Sequence, residues 1–135
     1  MQLNIRRITE EDIPVIYSWW EQWPKWEAVS RDFLPDNGLG GLIVEKNGDL
    51  IVAGFIYLTN AKVALLEWVV SNPEYREDDR DQAIDLLITG AENMVKSIGF
   101  KYMFSIVQHK KLIEKQVKLG WHKDEKPSHE LTKIL

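Results

Sequence analysis

The stretch at residues 63–87 constrains the fold more strongly than any other part of the chain. It opens with a β-branched, apolar run from Val63 to Val70, and only Glu67 interrupts that run. The turn signal Asn72-Pro73 comes next, a charged segment from Glu74 to Asp81 follows, and apolar residues then resume at helical spacing. This order predicts a strand, a loop and the start of a helix. Because a helix N-terminus carries free N–H groups and the positive end of the helix dipole, it is suited to binding a phosphate.

Glu67 is the single carboxylate inside this predicted strand. Burying a carboxylate alone is costly, so Glu67 must be paired with a cation or lie at an opening of the core. Both interpretations stay open from the residues alone.

Composition and charge narrow the class of protein. The 135 residues suit a single domain, residues 1–135, and the formal net charge of −4 argues against nucleic acid as a main partner. The absence of cysteine excludes disulfides, thiolate chemistry and cysteine-ligated zinc. His122 and His129 have no further ligand at a suitable spacing, so no metal site is predicted. Because no apolar run has membrane-spanning length and no signal-peptide pattern is present, we expect a cytoplasmic protein without a membrane partner.

Outside this stretch, the chain alternates between helical and strand-like patterns. The Asn47-Gly48 pair between two β-rich runs is the signal for a type I′ hairpin. Gly99 and Gly120 each follow a helical pattern, at the place where an αL cap belongs. The predicted elements are a strand at Leu3–Ile8, a helix from Thr9 to Trp20, strands at 41–46, 49–59 and 63–70, a helix from Ala83 to Ile98, a strand at 100–107, a helix at 109–119 and one or two closing strands within 121–135.

Four of the six tryptophans lie within eight residues, at Trp19, Trp20, Trp23 and Trp26. Pro24 interrupts them, so they cannot share one clean helical stripe. One interpretation is that they cover the core from a helix–loop–helix segment. The other is that they form a wall facing a substrate, able to stack on a ring or a cation.

Two segments carry a family resemblance that covers essentially the whole chain. Residues 69–76, VVSNPEYR, look like a "V-x-P-x-Y-R" strand end, and residues 118–121, KLGW, look like a "K-x-G-F" helix end. With the element order, they resemble the GNAT superfamily of acetyl-CoA-dependent N-acetyltransferases. The small size and Trp-rich first helix also resemble bacteriophage-encoded members. The resemblance implies an α+β fold, with a mixed central sheet, splayed strands and helices on both faces, and a possible homodimer.

The resemblance also implies roles for individual residues. Acetyl-CoA is the expected cofactor, Glu67 the general base, and the backbone of Trp68, Val69 and Val70 the partner of the pantetheine arm. The acceptor is an amine, either a small molecule or a protein. The pyrophosphate would rest on the loop and helix start, at Arg76, Asp78, Asp79, Arg80, Asp81, Gln82 and Ala83, and the acceptor would lie near Trp19, Trp23, Trp26 and Phe33.

The phosphate loop departs from the family pattern R-x-x-G-x-G/A. Asp79 and Asp81 stand where the glycines belong, and carboxylates aimed at a pyrophosphate would repel it by about 1 kcal/mol or more per close pair. In one interpretation the acids only cap the helix, face solvent, and no phosphate binds. In the other, the backbone amides with Arg76 or Arg80 bind the phosphates while the acids turn away.

The group that protonates the departing thiolate differs as well. The family often has a Tyr four residues before the helix-ending Gly, and this chain has Gln116 there. His109 could relay protons, or could be a plain first residue of the helix. The predicted function is acetyl transfer from acetyl-CoA to a primary amine by direct attack in a ternary complex. The alternative is a catalytically degenerate GNAT-fold binding module whose acidic patch faces a basic partner protein.

Overall fold

A computed structural model describes residues 2–24 and 26–135, which form a five-stranded sheet flanked by helices. Short 3-10 turns precede the first helix at Glu10–Asp12 and lie in the long connection to the second strand. The strands are β1 (Asn4–Arg7), β2 (Gly41–Lys46), β3 (Asp49–Leu58), β4 (Val63–Ser71) and β5 (Tyr102–Phe104), and the helices are α1 (Ile13–Gln22), α2 (Arg80–Ser97) and α3 (Lys110–Lys118).

The sheet is mixed and its strands lie in chain order from β1 to β5. Strands β1 to β4 pair antiparallel, whereas β5 pairs parallel to β4. The hairpin between β2 and β3 turns at Asn47 and Gly48, with φ of 54° and 85°. Two consecutive positive φ angles are what a type I′ turn requires, so the predicted hairpin is confirmed.

Helices cover both faces of this sheet because side chains alternate across each strand. On β2, Val44 belongs to the core under α2, while its neighbour Ile43 belongs to the core under α1. The α2 side is filled by small and branched residues such as Ala83 and Leu87. The α1 side is filled by larger ones, with Trp20 stacked on Phe55 at a centroid distance of 6.0 Å. The predicted α+β class with helices on both faces is confirmed.

A buried carboxylate fixes the start of α1 against β1. Asp12 accepts a hydrogen bond from the Thr9 N–H at 2.7 Å and pairs with Arg6 at 2.8 Å. Burial acts against the charged form, but Arg6 and Thr9 outweigh it and hold the pKa of Asp12 below its usual value. Thr9 and Asp12 therefore form a capping box, in which the Thr9 N–H donates back to the Asp12 carboxylate.

The predicted closing strands within residues 121–135 are wrong, since the structure has no strand there. Trp121 packs against the α2-side core and its Nε1 donates to Glu92 at 2.9 Å. Beyond it the chain is exposed, because the Lys-, Glu- and His-rich segment has few apolar residues to bury. The predicted strand at 100–107 is likewise shortened to Tyr102–Phe104.

No helix within the described residues has the length and apolarity needed to cross a membrane.

Candidate active site

Strands β4 and β5 separate soon after they begin to pair. Their register runs only from Val63 opposite Tyr102 to Leu65 opposite Phe104. One step further, the contacts come from side chains, with the Ser105 hydroxyl donating to the Leu66 carbonyl and the Ile106 N–H donating to the Glu67 carboxylate at 2.9 Å. Within the described residues, the second half of β4 keeps its pairing with β3 but has no strand on the β5 side, and the predicted splay is confirmed.

A distortion at Trp68 marks the place where the strands part. Trp68 has φ of 57°, a left-handed conformation that a bulky residue rarely adopts, and the β3–β4 register shifts there. Its indole Nε1 donates to the Tyr57 hydroxyl at 2.8 Å, and its ring meets Phe33 edge-on at 5.8 Å. The side-chain contacts thus hold a strained backbone at the opening.

Glu67 lies at this opening with its carboxylate partly buried. Burial raises the pKa of Glu67 to about 7; the Ile106 N–H opposes the rise and the negative charge of Glu130 adds to it. Within residues 2–24 and 26–135, no Lys or Arg forms a salt bridge with Glu67. A carboxylate that gains and loses a proton near neutral pH matches the requirement for a general base.

A cavity of about 620 Å³ extends from the end of β4 to the starts of α2 and α3. Trp23 and Trp26 from the segment after α1 form part of its wall, together with His109, Lys111 and Lys115 from the α3 region. The predicted cofactor residues that line it are Val69, Val70, Arg76, Asp78, Arg80 and Asp81. Trp68, Asp79, Gln82 and Ala83 are not among its lining residues.

The two acids at the glycine positions have cationic partners. Asp79 binds Lys46 at 2.7 Å and the Tyr75 hydroxyl at 2.6 Å, and Lys46 followed by Tyr75 lowers the pKa of Asp79. Asp81 binds Lys115 at 2.7 Å, and the same ammonium group lies 2.8 Å from Asp85. Three of the six carboxylates between Glu74 and Asp85 are therefore paired, whereas Glu74, Glu77 and Asp78 form no salt bridge within the described residues.

Arg80 is held in the cavity wall by a hydrogen bond and an aromatic contact. Its Nη2 donates to the Ser71 hydroxyl at 2.6 Å, and its guanidinium lies 5.6 Å from the centre of the Trp23 ring. The Trp23 Nε1 in turn donates to the Ser71 carbonyl at 2.8 Å. Burial, with a smaller effect of Arg76, lowers the pKa of Arg80 from its ordinary value. The end of α1 thereby holds Arg80 against the end of β4.

At the start of α2, some N–H groups are already bonded. The Arg80 N–H donates to the Glu77 carbonyl at 3.2 Å and the Ala83 N–H to the Asp79 carbonyl at 2.9 Å. The N–H groups of Asp81 and Gln82 lie in the same first turn, where no helical carbonyl can accept from them. These two amides have no backbone acceptor among the described residues and are open, and of the two residues only Asp81 lines the cavity.

The four aromatic residues predicted to bind substrate lie in three different places. Trp19 is 2% exposed and packs in the α1-side core, where no substrate can reach its ring. Trp23 and Trp26 line the cavity, alongside the predicted cofactor residues. Phe33 lies on the other side, against Trp68 near Glu67.

Sequence reasoning missed Lys46, Lys111, Lys115 and Tyr57. Lys115 lies one helical turn after Leu112 on the packed side of α3, so this spacing is a signal that could have identified it. Lys46 has no local signal, because it meets Asp79 from 33 residues away.

No model of a known family matches the sequence, and no curated protein matches it. Solved structures do resemble the chain. N-acetylglutamate synthase from Neisseria gonorrhoeae, complexed with coenzyme A and N-acetyl-glutamate, has a TM-score of 0.70 at 16% identity, covering 87% of this chain and 28% of that one. This chain thus spans little more than a quarter of the synthase.

Two shorter proteins match over most of both chains. The ribosomal-protein-S18-alanine N-acetyltransferase from Escherichia coli has a TM-score of 0.70 at 15% identity, covering 88% of this chain and 77% of that one. Diaminobutyrate acetyltransferase from Paenibacillus lautus, in complex with L-2,4-diaminobutyric acid and coenzyme A, has a TM-score of 0.66 at 17% identity, covering 88% and 74%. At these identities the similarity establishes architecture. The chain therefore has the fold of the GNAT N-acetyltransferases, with the parted β4 and β5 strands at one edge of its sheet.

Proposed function

We propose that this protein transfers an acetyl group from acetyl-CoA to a primary amine. The observation that carries the proposal is the opening between β4 and β5, which presents Glu67, together with the cavity that begins at Val69 on the same strand and is bordered by cations at the start of α2. The similarity to structures complexed with coenzyme A supports the same cofactor.

In this proposal acetyl-CoA lies along β4 and against the start of α2. The pantetheine arm bonds the backbone of Trp68, Val69 and Val70, which β5 leaves unpaired. The phosphates are held by Arg76 and Arg80 together with the two open amides in the first turn of α2. Lys115 and Lys46 neutralise the acids that replace the glycines, so that the loop does not repel the ligand.

The chemistry requires one base and one proton for the leaving group. The amine nitrogen attacks the thioester carbonyl, a C–N bond forms, the C–S bond breaks, and coenzyme A leaves as the thiolate. Glu67 takes the proton that the amine loses, directly or through a water. Gln116 is buried at the place of the family's Tyr and cannot supply a proton, so the thiolate is protonated by water or by way of His109, which borders the cavity.

The alternative, a binding module with an acidic partner-binding patch, gains no support from the pairing of these acids. A surface that attracts a basic partner needs unpaired negative charge. Asp79, Asp81 and Asp85 already contact Lys46 or Lys115.

The cofactor part is tested by thermal unfolding with and without acetyl-CoA. A ligand at a hundred times its dissociation constant adds about 2.7 kcal/mol, which raises Tm by several degrees in a domain of this size. Arg80→Met should weaken acetyl-CoA binding about tenfold or more, because a charge-assisted contact is lost. Arg7→Met is the matched control, since Arg7 lies on β1 away from the cavity. No shift for the wild type at millimolar acetyl-CoA would overturn the proposal.

The catalytic part is tested with Glu67→Gln. We expect unchanged acetyl-CoA affinity and a kcat/KM lower by a factor of about 10² to 10⁴, as is usual when a general base is removed. The wild-type rate should rise with pH through about 7, where Glu67 loses its proton. Undiminished turnover in the variant would remove Glu67 from the mechanism.

A further inference from the structure

The sheet face that carries Glu67 is uncovered over β4 and β5. Phe104 lies opposite Leu65 in the register, and Glu67 is two residues beyond Leu65, so all three side chains point to the same face. By the same alternation, Tyr102 lies on that face, and Ile106, just beyond the end of β5, lies beside Glu67 because its N–H donates to the Glu67 carboxylate. The exposed fractions of Tyr102, Phe104 and Ile106 are 65%, 56% and 46%.

A loop residue extends this apolar surface on the other side of Glu67. Phe33 is 48% exposed, and its carbonyl accepts a hydrogen bond from the Tyr57 hydroxyl at 2.8 Å. Tyr57 lies opposite Leu65 on β3, and its hydroxyl also receives the Trp68 indole N–H. These bonds and the contact with Trp68 hold Phe33 on the β3 side of β4, whereas Phe104 and Ile106 lie on the β5 side.

The charge at the centre of this apolar surface is negative. Glu67 provides one carboxylate, and Glu130 from the C-terminal segment lies close enough for its charge to act on it. In the described part of the chain, neither forms a salt bridge with a Lys or Arg. An ammonium group is thus attracted to the centre, while its surroundings favour apolar contacts.

We infer that the acceptor is a hydrophobic amine, that is, a primary amine whose carbon chain carries an aromatic or branched aliphatic group. The ammonium end meets Glu67 and Glu130, and the apolar end covers Phe104, Ile106 and Phe33. A small hydrophilic amine would satisfy the carboxylates but would leave the aromatic rings in water. This inference rests on the proposed acetyl transfer, because it assigns the substrate class of the same site.

The test is a binding experiment on the whole protein saturated with coenzyme A. Isothermal titration compares 2-phenylethylamine with ethanolamine, two primary amines that differ in the apolar group. We expect 2-phenylethylamine to bind at least tenfold more tightly, and Phe104→Ser to remove that preference. Leu58→Ser is the matched control, since Leu58 is 54% exposed but lies opposite Ala64, whose side chain belongs to the α2-side core.

Each outcome decides the inference. Equal affinity for the two amines, or a Phe104→Ser variant that keeps the preference, overturns it while leaving acetyl transfer intact. Sedimentation of the wild type as a dimer that Phe104→Ser dissociates also overturns it, because a second copy would then cover this face. Failure of coenzyme A to bind in the first step overturns the proposed function itself, and the acceptor class with it.

Discussion

The pH dependence of stability offers a test of the Glu67 environment that does not depend on any activity. We consider Glu67→Gln, which removes the charge while leaving a side-chain oxygen to accept the Ile106 N–H. The unfolded chain holds this carboxyl near its ordinary pKa of 4.5, and the folded chain holds it at about 7. Between these values the folded state binds more protons than the unfolded state. The free energy of unfolding of the wild type therefore falls as the pH rises from about 4.5 to about 7.

The size of the effect follows from the same two values. Each pKa difference of one corresponds to about 1.36 kcal/mol, which sets an upper limit of about 3.4 kcal/mol for Glu67 above pH 7. Because the carboxylate is only partly buried, water screens it, and we expect about 1 to 1.5 kcal/mol. Glu67→Gln removes the charge and therefore this destabilisation. The variant should be more stable than the wild type by that amount at pH 8, with little difference at pH 4.5.

Urea unfolding at pH 5 and pH 8 measures the difference directly. Glu125→Gln is the matched control, since it makes the same substitution in the exposed C-terminal segment. If the free energies of unfolding of Glu67→Gln and wild type differ by the same amount at both pH values, burial does not raise the pKa of Glu67 and the reasoning fails.

Two further predictions concern the acidic loop and the glycines. Lys115→Met should weaken acetyl-CoA binding about tenfold, because it leaves Asp81 unpaired beside the phosphates. Adding Asp81→Gly should restore the affinity. If calorimetry finds no rescue, Lys115 does not act by pairing with Asp81. Gly41→Ala should lower the free energy of unfolding by about 3 kcal/mol, because its Cβ would lie 2.3 Å from the Gly54 carbonyl oxygen. Gly48→Ala, with open space around it but φ of 85°, should lower it by only about 1 kcal/mol, and equal losses in urea unfolding would refute the steric explanation.

Local sequence patterns predicted much of the fold, but they failed where an element depends on residues far away in the sequence. The Asn47-Gly48 hairpin and the ends of α2 and α3 at Gly99 and Gly120 appear as predicted, because positive φ at these residues depends on short-range sterics. The closing strands do not appear, because strand formation also requires a partner edge and a face to bury. The segment after Trp121 pairs with no strand in the part of the chain that the structure describes, and its side chains stay exposed.

The candidate site divides in the same way. Glu67 stands out in the sequence as a charge inside an apolar strand, and its position follows from the two-residue period. The orientation of the acidic loop does not follow from any local rule, since Asp79 depends on Lys46, 33 residues earlier, and Asp85 on Lys115, 30 residues later. Trp23 is joined to Ser71 across 48 residues, so sequence could not separate it from the buried Trp19.

The sequence by itself thus determined the elements up to α3, the GNAT-like order of those elements and the strand that bears the acid. Only the tertiary structure decided which carboxylates are neutralised, which tryptophans reach the cavity and which face around Glu67 stays open. The physical reason is the separation along the chain over which each interaction acts. Backbone propensity and periodicity act over a few residues, whereas charge pairing, burial and the separation of β4 from β5 depend on groups that meet only when the chain has folded.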